Sequence, residues 1–512
     1  VRDHILLYLN GRPVTVGGDD AFLTLSEWLR RRQQLPGTKV VCAEGDCGSC
    51  AVLIGRPTAD AGEMAYAAVT SCIQLIFQLD GAHVVTVEGL KEGRKLNPIQ
   101  QSLVACQGTQ CGFCTPGFVV SLYDLMHNGG CTNPHEIRRG LVGNLCRCTG
   151  YDSIVRAACA VDRPALKSLD VLYPPEPLVQ QLAAAAKEGV RIDTPQRQLF
   201  KPTTVDEACE FRQQHPGCSV IAGATDLGVV HNKRTRPITQ ALVIGHLGEL
   251  RGVRSSASAI AIGAAESLSA LEREANRVLP ELGAYMAWFG SPLIKNAGTL
   301  GGNLVTGSPI GDTAPPLMAL DATVHLVGVG GRRRTVPVNA FYTGYRTTVL
   351  AADELVASVE IPIPQPTDRF KLYKISRRKD LDISTFSAAV WIRLSGNLIK
   401  EARLAFGGVA PVVLRMRRTE AALVGQAASL ATFQAAGEIA GSEVTPISDV
   451  RGSAGYRRAL ARNILTRFWH EVFGQGAPGT SGHDPRHDDG TNNGNGTATP
   501  PAANRIESIA AT

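Results

Sequence analysis

Ile5, Leu7 and Leu9 occupy alternate positions up to Asn10-Gly11, and Val14 and Val16 alternate beyond it, so the chain opens on a predicted two-residue β-hairpin. Thr24-Leu25-Ser26-Glu27 has the form of a capping box. Leu25, Trp28 and Leu29 then share one helical face, with Gly37 as the expected end of the helix. Apolar runs around Val40, Val52 and Val84 to Val87 predict further short strands. Two strands, a helix and more strands make a small mixed sheet of the β-grasp kind over residues 1–90.

From Asn97 the pattern becomes helical. Pro98, Pro116 and Pro134 each follow a capping residue (Asn97, Thr115, Asn133), which suits proline at a helix start, and Gly129-Gly130 and Gly143 are the expected stops. Residues 91–165 read as a compact helical bundle. Residues 166–195 carry Pro174, Pro175 and Pro177 and then an alanine-rich run, and read as a linker. Thr204-Val205-Asp206-Glu207 is a second capping box, inside a region that mixes strands (219–222, 259–263, 323–329) with helices and glycine-rich turns. We take 196–367 as one α+β domain. Residues 368–474 form another, with strands near Tyr373 and Val390 and a helix from Tyr456 to Val472. Beyond Gly474 the chain turns to Gly, Asn, Thr, Pro and Ser, a composition that predicts a disordered tail over 475–512.

Composition narrows the function classes. A chain of 512 residues needs several cores, and 44% hydrophobic with 19% charged content is that of a folded protein. The net charge of +6 is dispersed. Its densest runs, Arg30 to Arg32 and Arg332 to Arg334, lack interleaved aromatics and read as solvated faces rather than a nucleic-acid surface. No apolar stretch is long enough for a membrane span, and Val1-Arg2-Asp3-His4 leads straight into strand-like sequence, so a cytoplasmic protein without a signal peptide is expected. Thirteen cysteines in such a chain point to metal or catalysis rather than disulfides.

Eight of the thirteen form two sets. Cys42, Cys47, Cys50 and Cys72 have the plant-type ferredoxin spacing for a 2Fe-2S cluster, and Gly45, Gly48 and Ser49 allow a tight loop that aims amides at sulfur. A four-cysteine zinc site is the rival, but it favours two separated knuckles, whereas three of these thiols share one loop. Cys111 and Cys114 lead into a helix at Thr115-Pro116, and Cys146 and Cys148 into one near Asp152, so two helix starts would face one anionic cluster. Zinc is a fair rival for this second set on spacing alone. Cys106, Cys131, Cys159, Cys209 and Cys218 have no ligand spacing and are expected to be small buried hydrophobes.

Two glycine-bearing segments are candidates for phosphate. One is Val220-Ile221-Ala222-Gly223-Ala224-Thr225-Asp226-Leu227. The other runs from Asn296 through Thr299, Gly301, Gly302 and Asn303 to Ser308 and Asp312. Neither is a dinucleotide fingerprint, but each can present amides, hydroxyls and a side-chain amide to a pyrophosphate, where it is not merely a turn.

Taken together, Gln110 to Gly117, Gly143 to Tyr151 and Cys42 to Cys50 resemble the signature strings of the molybdenum hydroxylase family, in its bacterial xanthine dehydrogenase branch. The resemblance covers residues 1 to about 472 and joins iron–sulfur and FAD modules in one chain, where the carbon monoxide dehydrogenase relatives keep them apart. It implies two 2Fe-2S domains, an FAD domain of the vanillyl-alcohol oxidase and MurB-like type, and a C-terminal flavoprotein domain. It also implies an electron-transfer subunit. A molybdopterin-binding large subunit would oxidise hypoxanthine or xanthine to urate, and electrons would pass through the helical-domain cluster, the ferredoxin-like cluster and FAD to NAD. Two small and two large chains would form the assembly, with no catalytic residue in this one. Gln110 and Cys148 would face the pterin. Residues 220 to 227, Phe289, Thr299, Gly301, Gly302, Asn303, Ser308 and Asp312 would line FAD. Tyr345, Lys374 and the loop Ser376-Arg377-Arg378-Lys379-Asp380 correspond to the region that governs NAD access, where Leu381 lengthens an acidic stretch near Asp382. A hydroxylase of aldehydes or N-heterocycles, or a stand-alone flavin-bearing carrier, would carry many of the same motifs.

Overall fold

The computed structural model describes residues 1–58, 62–93, 95–129 and 133–474; Gly130, Cys131 and the expected tail lie outside them. Strands β1 (His4–Leu9) and β2 (Arg12–Gly17) pair across Asn10 and Gly11, whose φ values of 46° and 81° are those the hairpin turn requires. With β3 (Ala51–Pro57), β4 (Met64–Thr70) and β5 (Ala82–Val85) they form a mixed sheet of order β2-β1-β5-β3-β4. Helix α1 (Leu25–Arg31) is capped by Thr24, which accepts from the Glu27 amide at 3.3 Å, and it buries Leu25, Trp28 and Leu29 against Phe22, Phe77 and Val52. The β-grasp expectation holds. Two local ones do not: α1 stops at Arg31, well before Gly37, and Val40 lies in a loop with Val41 62% exposed. That loop winds through Ala43, Gly45 and Gly48 at positive φ, which no strand can accommodate.

Helices α2 (Pro98–Ala105), α3 (Thr115–His127), α4 (Pro134–Gly140) and α5 (Asp152–Cys159) form the bundle. Asn97 and Asn133 cap α2 and α4 as expected, whereas Cys114, not Thr115, takes the cap position of α3. Gly129 follows α3 at φ 77°, but α4 ends at Gly140, so Gly143 is not its stop. Leu103, Phe118, Leu122, Ile137 and Ile154 share one core with Leu53 and Tyr66 of the sheet. The expected linker is ordered. It contains α6 (Leu169–Leu172) and α7 (Pro175–Ala186), whose Leu178 and Leu182 join that same core while Gln181 bonds the Tyr8 hydroxyl.

The next region begins inside that stretch, since β6 (Val190–Asp193) is the edge of a four-stranded sheet with β7 (Gln198–Lys201), β8 (Ser219–Ile221) and β9 (Gln240–Val243), in order β6-β7-β9-β8. Helices α8 (Val205–Gln214) and α9 (Leu227–Asn232) connect its strands. A five-stranded antiparallel sheet follows, formed by β10 (Val253–Ser255), β11 (Ala259–Gly263), β12 (Thr323–Val327), β13 (Arg333–Pro337) and, beyond the hairpin β14 (Tyr342–Gly344) and β15 (Thr347–Thr348), β16 (Leu355–Pro362). Between β11 and β12 lie α10 (Leu268–Val278), α11 (Pro280–Met286), α12 (Pro292–Lys295), α13 (Leu300–Thr306) and α14 (Ala314–Ala319).

The last unit of the fold is a sheet of β17 (Arg369–Ile375), β18 (Phe386–Ser395), β19 (Leu398–Gly407) and β20 (Leu414–Arg415). It is covered by α15 (Arg417–Leu423), α16 (Leu430–Glu443) and α17 (Ala454–Val472) through Phe386, Phe406, Phe433 and Phe468. Among the described residues no helix is long and apolar enough to cross a membrane.

His83 on β5 is fully buried. The Gly11 amide donates to its Nε2 at 3.0 Å, so Nδ1 carries the proton and donates to the Tyr66 hydroxyl at 2.8 Å. Burial pulls its pKa from 6.5 to about 4. The unfolded chain therefore takes up this proton below about pH 6.5 and the folded chain only near pH 4. The histidine's contribution to stability is whole above pH 6.5 and falls away on acidification to pH 4, by about 3 kcal/mol. In urea unfolding, the stability gap between wild type and His83→Gln should narrow by that order between pH 7.5 and pH 4.5; a gap constant with pH would mean that His83 is not held neutral.

Candidate functional site

The loop carrying the first thiols turns at Ala43, Gly45 and Gly48, with φ of 55°, 85° and 67°. These turns draw the Cys42 side chain against Cys47 and Cys72, and Cys50 against Cys72. Cys47, Cys50 and Cys72 are buried and Cys42 is partly so. Protons shared between the thiols hold Cys42 and Cys50 below the ordinary thiol range and Cys47 and Cys72 above it. The Glu44 amide lies 3.4 Å from the Cys42 sulfur. A methyl group on Gly45 would sit 2.7 Å from Ile294 and 2.8 Å from Ile73, so the loop is closed on that side by two apolar side chains.

In the second set the Cys111 and Cys148 sulfurs are 3.5 Å apart and Cys114 meets Cys146. The Thr149 hydroxyl is 3.2 Å from the Cys146 sulfur, and the Cys146 amide donates to the Tyr151 hydroxyl at 3.0 Å. Burial pushes the Cys114 thiol up to about 12. Cys111 and Cys148 are exposed, as are Gln110 and, nearby in sequence, Phe113, Leu145 and Tyr151. Among the described residues no three Cys, His, Asp or Glu side chains close around a single ion position; the first four thiols contact one another in a chain, Cys47-Cys42-Cys72-Cys50, and the second four in two pairs. Four thiolates with amide donors are the donor set a two-iron cluster takes. Of the other cysteines, Cys209 is buried with its thiol toward the Val327 carbonyl at 3.6 Å, and Cys106 and Cys218 are half-buried. Cys159 is exposed at the end of α5, contrary to expectation, because the amphipathic helix turns Ile154, Val155 and Ala158 inward instead.

The two sets are joined directly. The Leu145 amide, one residue before Cys146, donates to the Cys47 carbonyl at 3.0 Å, and the Asn144 side-chain amide approaches the Gly48 carbonyl at 3.4 Å. Any side chain on Gly48 would run into Gly143, and any on Gly117 into Gly48, so bare Cα atoms set this contact. The side facing the third region is bound as closely. Asn232 at the end of α9 donates its side-chain amide to the carbonyls of Ala43 at 2.9 Å and Cys72 at 2.7 Å, and Gly228 lies flat on Ile73. Sequence reasoning missed Leu145, Asn232 and Gly228. A lone asparagine closing the short apolar run Leu227 to Val230 was the available signal.

The two glycine segments meet back to back: a side chain on Gly223 would strike the Ala297 backbone, and Ala224 is held at φ 58°. Val220, Ala222, Gly223, Thr225 and Leu227 are half-buried, Ile221 and Ala224 buried, and Asp226 exposed. Gln74 and Gln78 of the ferredoxin-like region reach the Gly223 and Ala222 carbonyls at 3.4 and 3.2 Å. The amides of 301 to 303 are not free. Gly301 donates to Ala264 at 3.0 Å, Gly302 to the Thr299 hydroxyl at 3.1 Å, and Asn303 to the Thr299 carbonyl at 3.0 Å. What remains open is the exposed Cα of Gly302, with half-buried Asn303 and Ser308 beside it.

Phe289, Asp312 and Lys374 come together. The buried Asp312 carboxylate takes Lys374 Nζ at 2.7 Å, the Ser384 hydroxyl at 2.5 Å and the Tyr285 hydroxyl at 3.4 Å, and Lys374 lies 5.9 Å from the Phe289 ring centroid. Burial, reinforced by the Asp312 charge, holds the Tyr285 phenol well above its ordinary range. Tyr285 and Ser384 were not legible as members of this network, since they lie far from Asp312 in sequence. Tyr345 is 60% exposed at the β14–β15 turn, whose Arg346 backbone packs on Gly307 at the end of α13. Ser376 to Asp382 form a loop folded on itself by Arg378 and Asp382, with Lys379 Nζ 5.0 Å from the Trp288 ring and Leu381 at φ 61°.

Residues 86–159 match the family model of a 2Fe-2S binding domain, 195–364 that of the FAD binding domain in molybdopterin dehydrogenase, and 371–472 that of the CO dehydrogenase flavoprotein C-terminal domain. The chain is 30% identical to xanthine dehydrogenase of Emericella nidulans over 92% of its own length and 39% of that protein, and 31% identical to that of Drosophila subobscura over 90% and 38%. It thus spans about two-fifths of the length of these curated relatives. Among solved structures, carbon monoxide dehydrogenase from Hydrogenophaga pseudoflava matches with a TM-score of 0.50 and 29% identity, over 54% of this chain and 96% of that one. Quinoline 2-oxidoreductase from Pseudomonas putida 86 matches with a TM-score of 0.50 and 26% identity, over 55% and 98%. With a 2Fe-2S domain, an FAD domain and a flavoprotein C-terminal domain in that order, the chain belongs to the molybdenum hydroxylase family.

Proposed function

We propose that this chain is the electron-transfer part of a xanthine dehydrogenase, passing electrons from a molybdopterin subunit to NAD in the cytoplasm, with the domain limits read from the sequence except that the FAD domain starts at β6. The observation that carries the reading is the 3.0 Å hydrogen bond from the Leu145 amide to the Cys47 carbonyl, which joins the backbones of two four-thiol sets. When bound, two 2Fe-2S clusters and FAD supply one-electron steps and hydride exchange with NAD. The residues do the rest. Cys42, Cys47, Cys50 and Cys72, three of them buried, would hold one cluster, and Cys111, Cys114, Cys146 and Cys148, two of them exposed, would hold the other. Phe289 offers an aromatic face to the flavin. Lys374 keeps a buried positive charge beside it, compensated by Asp312. Residues 220 to 227 and 299 to 312 form the flavin's cleft, and Tyr345 with the 376–382 loop admits the nicotinamide.

A partner is indicated by the surface around Cys111 and Cys148. Exposed thiols next in sequence to exposed Gln110 and close in sequence to exposed Phe113, Leu145 and Tyr151 are the kind of surface that a subunit covers. The pterin subunit docks there, in an assembly of two small and two large chains. The likeness to quinoline 2-oxidoreductase favours, as a second reading, a partner that oxidises another N-heterocycle.

The purified chain should contain four irons and four acid-labile sulfides, and Cys47→Ser should remove one of two paramagnetic signals. Stoichiometric zinc in place of one iron pair would overturn the assignment of that thiol set.

A bulky residue at Gly302 meets only its own cap, Thr299 Oγ1 at 2.9 Å, while one at Gly301 meets Ala264 at 2.6 Å. Gly302→Val should lose FAD more than tenfold while lowering the urea midpoint of the flavin-free chain only by the order of a disturbed Thr299 cap, whereas Gly301→Val, which meets the Ala264 backbone, should lower that midpoint further. Full flavin content in Gly302→Val would remove this glycine from the flavin cleft.

The isolated, cofactor-loaded chain should oxidise NADH with an artificial acceptor but form no urate from xanthine until the molybdenum subunit is added. Xanthine turnover by the chain alone would overturn the division of labour, and failure to bind any molybdenum subunit would favour a free carrier.

A further inference from the structure

Two adjacent residues of the 376–382 loop and two adjacent residues of the turn after α11 are closed into a ring by one side chain from the helical region. Lys379 stands over Trp288 at 5.0 Å. Next to Trp288, the Ala287 carbonyl accepts a hydrogen bond from Arg139 Nη2 at 2.9 Å. Next to Lys379, Asp380 Oδ1 lies 3.6 Å from Arg139 Nη1. That carboxylate oxygen is buried and makes no hydrogen bond, so among the described residues Arg139 is the cation it answers to. The other charges nearby are committed elsewhere. Arg378 pairs with Asp382 at 3.2 Å, and Lys295 is bound to Glu272 at 2.6 Å and to the Met286 carbonyl at 3.0 Å.

We propose that Arg139 is a positioning residue that ties the 376–382 loop to the Trp288-Phe289 turn, so that the loop's closed position depends on the docking of the helical region. Arg139 is on α4, four residues before Gly143, whose bare Cα packs on Ser291 and Leu293 just beyond the same turn. Through this short path the segment carrying Cys146 and Cys148 is mechanically continuous with the loop. A cavity of about 280 Å3 lies beside Arg139, lined by Glu136, Glu272, Ala287, Gly290 and Lys295 among others. It gives the guanidinium room to close or open the last few tenths of an ångström to Asp380. Lysine cannot replace it fully, because one ammonium cannot serve the carbonyl and the carboxylate in the same planar fork. This inference rests on the proposed nicotinamide role of the loop only for its effect on activity, not for the tie itself.

Trypsin provides the readout, because Arg377, Arg378 and Lys379 are its sites within the loop. Nicking at these bonds should be followed by mass spectrometry on the cofactor-loaded chain. Arg139→Gln should be nicked roughly three- to tenfold faster than wild type, as expected for losing one charge-assisted hydrogen bond and a partly exposed ion pair. Asp380→Asn, approached from the other side, should be nicked faster by a smaller factor, the double variant no faster than Arg139→Gln, and Arg139→Lys in between. Iron and flavin contents should stay at wild-type values while the KM for NADH rises and kcat holds. Unchanged nicking in both single variants, or multiplicative effects in the double, would overturn the tie. Faster nicking with an unchanged KM would leave the tie standing and remove the loop from the nicotinamide site.

Discussion

A cysteine loop that turns at left-handed residues has no ladder of its own, and its buried carbonyls must be satisfied from outside. The loop Lys39 to Cys50 meets this constraint by borrowing donors from two other regions. Asn232 serves Ala43 and Cys72, Leu145 serves Cys47, and Asn144 approaches Gly48. Each such bond contributes on the order of 1 kcal/mol, and each left unmade would cost more. The first thiol set is thus complete only when the helical bundle and α9 are both docked on it. The order of the modules in space follows from this accounting, and so does the continuity of one core from the sheet of the first region into α2 to α7.

Charge is handled in two distinct ways. Asp80, nearly inaccessible, is shared by Arg2 at 2.9 Å and Lys201 at 2.8 Å, and this cluster pins the first strand to the third region. It is a structural clasp. Asp312 is as deeply buried but sits next to Phe289 and gathers Lys374, Ser384 and Tyr285 from three segments. In both, cations and hydrogen-bond donors take the place of the water lost on burial. Only the second lies beside Phe289, among the residues proposed above to face FAD.

Most local signals carry through to the structure, though the helix stops at Gly37 and Gly143 do not. Asn10-Gly11 demands a tight hairpin turn, Thr24 and Thr204 cap helices within three residues, and the Cys42 to Cys50 spacing needs a compact loop. Where tertiary contact competes, the reading fails. Val40 has strand propensity, but the thiol loop leaves it no partner. Pro174 to Pro177 look like a linker, yet proline suits the first turn of α7, and Leu178 and Leu182 then find a ready-made core. Gly301 and Gly302 look alike in sequence, although one packs on Ala264 and the other faces outward, a difference set by the orientation of α13. Asn232, Arg139 and Tyr285 act across separations of more than twenty residues. No window of sequence contains both partners.

The two thiol sets differ in a way that gives the molecule a direction. Cys50 and Cys72 are buried among Ile73, Val229 and Ile294, Cys47 is buried and Cys42 partly so, whereas Cys111 and Cys148 are exposed. A cluster held by exposed thiolates would be open to an outside donor, while one held mostly by buried thiols would face neighbours inside the chain over most of its surface. The inner set has two such neighbours, the outer set through Leu145 and the cleft region through α9 and Ile294. Apolar packing around the inner set lowers its dielectric and steadies its geometry, which is how a protein sets a potential without changing the ligands. The route proposed above, from the exposed thiol set through the more buried one toward Phe289, runs along this difference in burial.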